Sequence, residues 1–394
     1  MAKSSGDKSS RLPPARAEHI GSFLRPAELH AELERVYDPK HTALLAEERA
    51  KDLSRLHAIE DKCIREVIKK QQEVGLTVLT DGEFRRYMFT GSFYDSVDGL
   101  EVGGPGVAFY DNEGKELRYQ GLPIVSRRLR RVDNPLVRET KFMKANAGGA
   151  RFKVTIPAGS FYELPFVYQN GVTEKVYKSH EELVEHINAL QNEQIDEAIA
   201  AGLEYIQFDY PLYPMLISQM YLDIFKQMGA SFKELMDRSI AADKKIAERL
   251  PAHVTRGIHL CRGNWRSRFM VSGSLEPVAE RMFNELPYDA FFIEWEDIKR
   301  EGGYEALRFV PKGKMVIMGI VNSKVPEVES ADSLVRKIES AGKYLDTAQL
   351  GISPQCGFAS TMHGNELSEA AQWRKLEEMV KAADKVWAGA SMAA

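Results

Sequence analysis

Eight short apolar runs alternate with stretches of helical periodicity, and most of them end in a residue able to do chemistry. Together these two features predict an α/β fold of the TIM-type (β/α)8 barrel kind, with an insertion after the second strand, because barrel enzymes carry their sites at the carboxyl ends of the strands. A third observation agrees: the chain has no GxGxxG or GxxxxGKS/T loop, so a doubly wound sheet with a phosphate site is not indicated.

Taken in order, residues 1–15 are polar and read as a disordered tail, and 16–394 as a single catalytic barrel domain. AEHIGSF (17–23) is the first strand, ending in Gly21 and Ser22. Residues 42–74 place Leu53, Leu56, Ile59, Cys63, Ile64, Val67 and Ile68 at spacings near three and four, which predicts one long helix with Cys63 as a core residue of its stripe. GLTVLTDGEF (75–84) is the second strand and ends in acids. Residues 88–150, with Gly103-Gly104-Pro105-Gly106 and short alternating stretches, read as a hairpin-bearing insertion rather than a barrel helix. The basic run Arg127, Arg128, Arg130 and Arg131 within it reads as a solvated face.

FKVTIPAG (152–159) and LEYIQFDYP (203–211) are the third and fourth strands, separated by helical periodicity over 179–201. Helices over 213–228 and 231–250 lead into VTRGIHLC (254–261). The alternation continues with helix 275–286, strand DAFFIEWE (289–296), strand KMVIMGIV (314–321), helix 329–342, strand QLGISPQCG (349–357) and helix 365–387.

Composition narrows the function. The 394 residues are 44% hydrophobic and 28% charged, with 53 basic and 57 acidic residues and a formal net charge of -4, so neither nucleic acid nor an anionic membrane is expected as a partner. Small molecules are. Three cysteines and no apolar leader or membrane-length run point to a reducing, cytoplasmic compartment. The glycine- and aromatic-rich insertion could serve an interface in a homo-oligomer.

The most informative stretch is His259-Leu260-Cys261, two ligand types one residue apart at a strand end, where side chains repeat every two positions. Glu294 ends the apolar run Phe291-Phe292-Ile293, an expensive place for an acid without a partner or a metal, and Cys356 ends the last strand. One imidazole, one carboxylate and two thiols make four candidate ligands for Zn2+, and a site with one displaceable carboxylate would admit an incoming thiol. Taken singly, each has a plainer reading as a packed or hydrogen-bonded residue. Ser22, Glu83 and Asp209 fall at the ends of three further strands, and two carboxylates facing one cavity need a cation between them, or one must take up a proton.

HLCRGN (259–264), IEWED (293–297) with RFVPKGK (308–314), and SPQCGF (353–358) resemble the zinc segments of the cobalamin-independent methionine synthase family, in its short single-barrel form. IGSF (20–23), TDGEFRR (80–86) and QFDYP (207–211) resemble further segments in the same order. The resemblance spans residues 16–385 and implies zinc-dependent methyl transfer from a folate-type donor to the thiol of homocysteine. His259, Cys261, Glu294 and Cys356 are then the metal ligands, and Ser22, Glu83 and Asp209 hold the thiol substrate. Two departures stand out: the 394 residues hold no counterpart of the second barrel that grips polyglutamylated folate, and GIVNSKVP (319–326) replaces the family's catalytic His segment, so that Asn322 and Lys324 occupy the catalytic region. Alternatives are alkyl transfer to another thiol, such as epoxide:coenzyme M transfer, for which Arg25, Arg85, Arg86, Arg262, Arg266 or Lys324 would bind the sulfonate, and a non-catalytic zinc-binding barrel.

Overall fold

Parallel strands buried on both faces carry near-continuous apolar runs, and such runs pair here side by side. The computed structural model describes residues 12–37, 43–104, 106–164, 167–227 and 229–388. Among them, one parallel sheet runs Leu350–Pro354, Met315–Val321, Ala290–Glu294, Thr255–Leu260, Tyr205–Asp209 and Val154–Pro157, so that chain neighbours are also sheet neighbours. The ring continues beyond both edges. Arg151–Phe152, just before Val154, pairs in parallel with Val78–Leu79, and Ala17 bridges in parallel to Ile352. Between these two outer pieces the Phe23 N–H donates to Gly82 O at 3.1 Å and Thr80 Oγ1 to Gly21 O at 2.7 Å. Every neighbouring pair of the eight predicted staves is therefore joined by hydrogen bonds, in chain order.

The first two staves are thinner than expected. In place of a strand over 17–23 there is the single bridge at Ala17, and only Val78–Leu79 of 75–84 joins a ladder. For the first stave the physical cause is charge. Glu18 is fully buried, and its carboxylate takes the Lys153 ammonium at 2.8 Å and the Tyr205 hydroxyl at 3.1 Å, while Lys153 also donates to His19 O at 2.5 Å. Polar residues wired to three staves stand where an apolar strand would otherwise run.

The helices follow their caps. Ser179, Ser231, Ser330 and Ser368 each accept an N–H from the first turn of His180–Ala200, Phe232–Ala247, Ala331–Ala341 and Glu369–Val386, satisfying a donor that has no partner inside the helix. The single helix expected over 42–74 is two, Ala46–Arg49 and Ser54–Glu73, and helix Ala27–Val36 precedes them unforeseen, because buried Glu32 interrupts its stripe of Leu29, Leu33 and Val36.

The insertion carries hairpins, as read: Val97–Val102 pairs antiparallel with Pro123–Arg131, and Val107–Tyr110 with Glu116–Tyr119. It ends earlier than 150, however, since Pro135–Asn146 is a helix that packs on His180–Ala200. Glu139 and Thr140 lie on its buried face beside Leu136 and Met143, which hides the apolar period. Of the expected N-terminal tail, residues 1–11 lie outside the described residues, while residues 12–15 are tied down: Leu12 O accepts from Thr255 Oγ1, Pro13 O from Arg151, and Ala15 N–H donates to Glu18.

Lys153→Met leaves the Glu18 carboxylate buried without its cation, so it is expected to lower the unfolding free energy by about 3–5 kcal/mol in urea denaturation. A change within a few tenths would mean that the pair does not organise the first staves.

Candidate functional site

Cys261 follows Thr255–Leu260 and Cys356 follows Leu350–Pro354, with two strands lying between these in the sheet. In a flat sheet three inter-strand steps would hold them ~14 Å apart. Their sulfurs are 3.3 Å apart, so the curl of the sheet delivers both thiols to one point. His259, on the strand that leads to Cys261, completes a group whose donor atoms all lie within 4.8 Å of one another. All three residues are buried, and both thiols are free.

This set fits a metal. The His259 ring makes no well-formed hydrogen bond and has the Cys356 thiol as its side-chain neighbour, and one nitrogen with two sulfurs suits a borderline cation such as zinc. Two thiols this close and this dry cannot both ionise independently. The Cys356 thiol is pulled well down by its hydrogen bond with Cys261, against burial and with help from His259; burial and Cys356 push Cys261 well up. The Gly263 N–H donates to Cys261 Sγ at 3.3 Å, and so supports negative charge there.

Glu294, expected as the fourth ligand, stands outside this group. It is fully buried, and both of its oxygens are taken: Oε1 accepts from Lys324 Nζ at 2.7 Å and Gln355 Nε2 at 2.7 Å, and Oε2 from the Arg262 N–H at 3.0 Å. Burial alone would raise its pKa, but Lys324 and Arg300 outweigh it and hold the carboxyl at about 2. Its bond to Arg262, the residue after Cys261, fixes the turn that carries that thiol. Lys324 is thus spent on Glu294, and Asn322 Oδ1 accepts the Lys324 N–H at 2.8 Å; neither residue lines the cavity beside the thiols.

The cavity beside the thiols brings Ser22, Glu83 and Asp209 together with His259, Cys261 and Cys356. Asp209 pairs in register with His259, and its Oδ1 accepts from Gln207 at 2.7 Å. Glu83 Oε1 accepts from Thr155 Oγ1 at 3.0 Å, while its Oε2 is buried without a partner. Burial raises the pKa of both acids, Asp209 to about 7 in spite of His259. Glu83 and Tyr210 each hold φ near +60°, an uncommon backbone state for residues other than glycine and one found at functional sites. Gly357 is required here, because a Cβ on it would lie 1.9 Å from Ser22 Oγ.

The strand-end arginines turn away from the cavity. Arg25 donates to four carbonyls, those of Glu83, Arg86, Ala359 and Thr361; Arg86 pairs with Glu139, Arg85 with Glu60 and Asp61, and Arg262 with Gly273 O. None of these, nor Arg266 or Lys324, lines it. Sequence reasoning missed the cavity's other wall. Phe109 and Tyr119 come from the insertion, and Trp265 and Met270 from the loop after Cys261; their only signal was the aromatic content of those segments.

Over residues 165–385 the chain matches the family model described as the cobalamin-independent synthase catalytic domain. It is 33% identical over 389 residues to the uncharacterized protein YxjG of Bacillus subtilis (strain 168), covering 96% of each chain. It is 23% identical over 379 residues to the methionine synthase of Pyrococcus abyssi, covering 94% of this chain and 92% of that one. Among solved structures, a B12-independent methionine synthase from Shewanella sp. W3-18-1 in complex with selenomethionine shares the fold, with a TM-score of 0.68, 20% identity, and coverage of 94% and 97%.

If three residues suffice to hold the metal, His259→Ala, Cys261→Ser and Cys356→Ser are each expected to abolish stoichiometric cobalt or zinc binding in a competition titration. Glu294→Gln is expected to weaken it by only about tenfold, the cost of disturbing a ligand's support. Equal loss in Glu294→Gln would make it a fourth ligand.

Proposed function

The chain belongs to the cobalamin-independent synthase family, and from that premise we propose that it is a zinc-dependent methyltransferase that methylates the thiol of homocysteine to form methionine. The observation that carries this reading is the convergence, in one cavity, of a His–Cys–Cys donor set with two buried acids. Zinc held by His259, Cys261 and Cys356 would supply the acidity that keeps an added thiol deprotonated at neutral pH.

The chain's own residues account for binding and orientation. Glu83 and Asp209 face one space with pKa values raised by burial, so an ammonium placed between them restores their charge and is held by it. Ser22, fixed by its contact with Gly357 and by the Ala359 N–H, lies alongside. An amino acid gripped this way points its side chain toward the thiol pair, and the buried wall excludes water from the displacement at the methyl carbon. Glu294 and Lys324 act from behind, holding the Cys261 turn.

The same wall argues against a sulfonate thiol of the coenzyme M kind, since among the described residues no Lys or Arg lines it. A closed structural zinc site would have no reason to abut a cavity with an unpartnered Glu83 oxygen. Among the described residues no helix is long and apolar enough to cross a membrane.

Calorimetric titration of the zinc-loaded chain with L-homocysteine is expected to show stoichiometric binding, weakened about tenfold to a hundredfold in Glu83→Gln and in Asp209→Asn, the usual worth of a hydrogen bond to a charged group. Absence of binding, or indifference to both substitutions, would contradict the proposal.

A further inference from the structure

The two acids that face the thiols are themselves held from below, by side chains that do not line the cavity. Val154–Pro157 and Tyr205–Asp209 run in parallel with Thr155 opposite Gln207 and Pro157 opposite Asp209, so Thr155 and Gln207 form one level of the barrel, a step beneath Asp209. Both are buried. The Thr155 hydroxyl donates to Glu83 Oε1 at 3.0 Å, and Gln207 Nε2 donates to Asp209 Oδ1 at 2.7 Å. Each acid is thus met by a neutral donor.

These bonds leave the donors little freedom. Arg86 Nη1 donates to Thr155 O at 3.1 Å and to Thr155 Oγ1 at 3.3 Å, while Nη2 pairs with Glu139 at 3.0 Å. A hydroxyl has one proton, and with Arg86 donating to its oxygen that proton goes to Glu83. Gln207 Nε2 has two protons, and it gives the second to Ile20 O at 2.7 Å. Gly21 closes a further side, because a Cβ there would lie 2.6 Å from Glu83 Oε1 and 3.0 Å from Thr155 Cγ2. One oxygen of Glu83 is therefore seated against the protein, and the other, Oε2, is buried without a partner.

Neutral donors orient a carboxylate without cancelling its charge. A Lys or Arg at either position would pair with the acid and leave little for a ligand's ammonium to meet. With Thr155 and Gln207 in place, the acids wait for a cation that the ligand must bring, and a ligand without one leaves them buried and unanswered.

We propose that Thr155 and Gln207 are positioning residues that make the thiol pocket selective for an α-ammonium group, each fixing one oxygen of an acid and leaving its charge to the ligand. Arg86 and Glu139 extend this arrangement outward, so the helix Pro135–Asn146 braces Glu83 through Thr155. The inference rests on the homocysteine reading above.

The test titrates the zinc-loaded full chain calorimetrically with L-homocysteine and with 4-sulfanylbutanoate, which carries the same thiol and carboxylate but no amino group. The unsubstituted chain is expected to prefer homocysteine about a hundredfold. Thr155→Val and Gln207→Met are each expected to weaken homocysteine about tenfold and to leave the amine-free thiol unchanged, which also reports that they are folded. Thr155→Ser, which retains the hydroxyl, is expected to keep the preference. A preference that survives both Thr155→Val and Gln207→Met, or an equal loss for the two thiols, would overturn the positioning role and leave the homocysteine reading standing. Absence of homocysteine binding in the unsubstituted chain would overturn that reading itself.

Discussion

Sheet curvature is the constraint on which the rest of this molecule depends. Cys261 and Cys356 belong to segments with two strands between them, and only a sheet that curls through three strand intervals can set their sulfurs 3.3 Å apart. The residues that hold the curl are therefore as much a part of the site as the donors, among them the hydrogen bonds between the 21–23 and 80–82 segments and the buried Glu18–Lys153 pair.

Around that point the buried charges form an almost closed account. Arg25 ties four carbonyls from two loops together, Arg86 answers Glu139, and Lys324, Gln355 and a backbone N–H share Glu294. Each of these cations, placed near a strand end, is consumed by the protein itself. Among the described residues, the polar groups that line the cavity include an unpartnered oxygen of Glu83, the Asp209 carboxyl, an imidazole and two thiols.

Much of this was legible beforehand, and the exceptions have physical causes. The alternation of apolar runs and helical stripes gave the staves in the right order because fully buried parallel strands leave an unbroken apolar signal. That His259, Cys261 and Cys356 share one place could be read because each stands at or just past the end of a barrel strand, where side chains from different strands meet. Glu294 could be read as a buried acid needing a partner, but not which partner, since Lys324 lies thirty residues away and nothing local links the two. The helix Pro135–Asn146 was hidden by Glu139 and Thr140 on its inner face, and the aromatic wall of the cavity because it joins rings from the insertion to a loop more than a hundred residues later.

The central claim is an open donor set of one nitrogen and two sulfurs into which a substrate thiol fits. X-ray absorption at the zinc edge, with and without L-homocysteine, tests it most directly. The account predicts two sulfur scatterers in the loaded protein and three once homocysteine is added, with loss of one oxygen-type neighbour. An unchanged shell, with the sulfur count fixed at two and an oxygen from Glu294 retained in both samples, would contradict it.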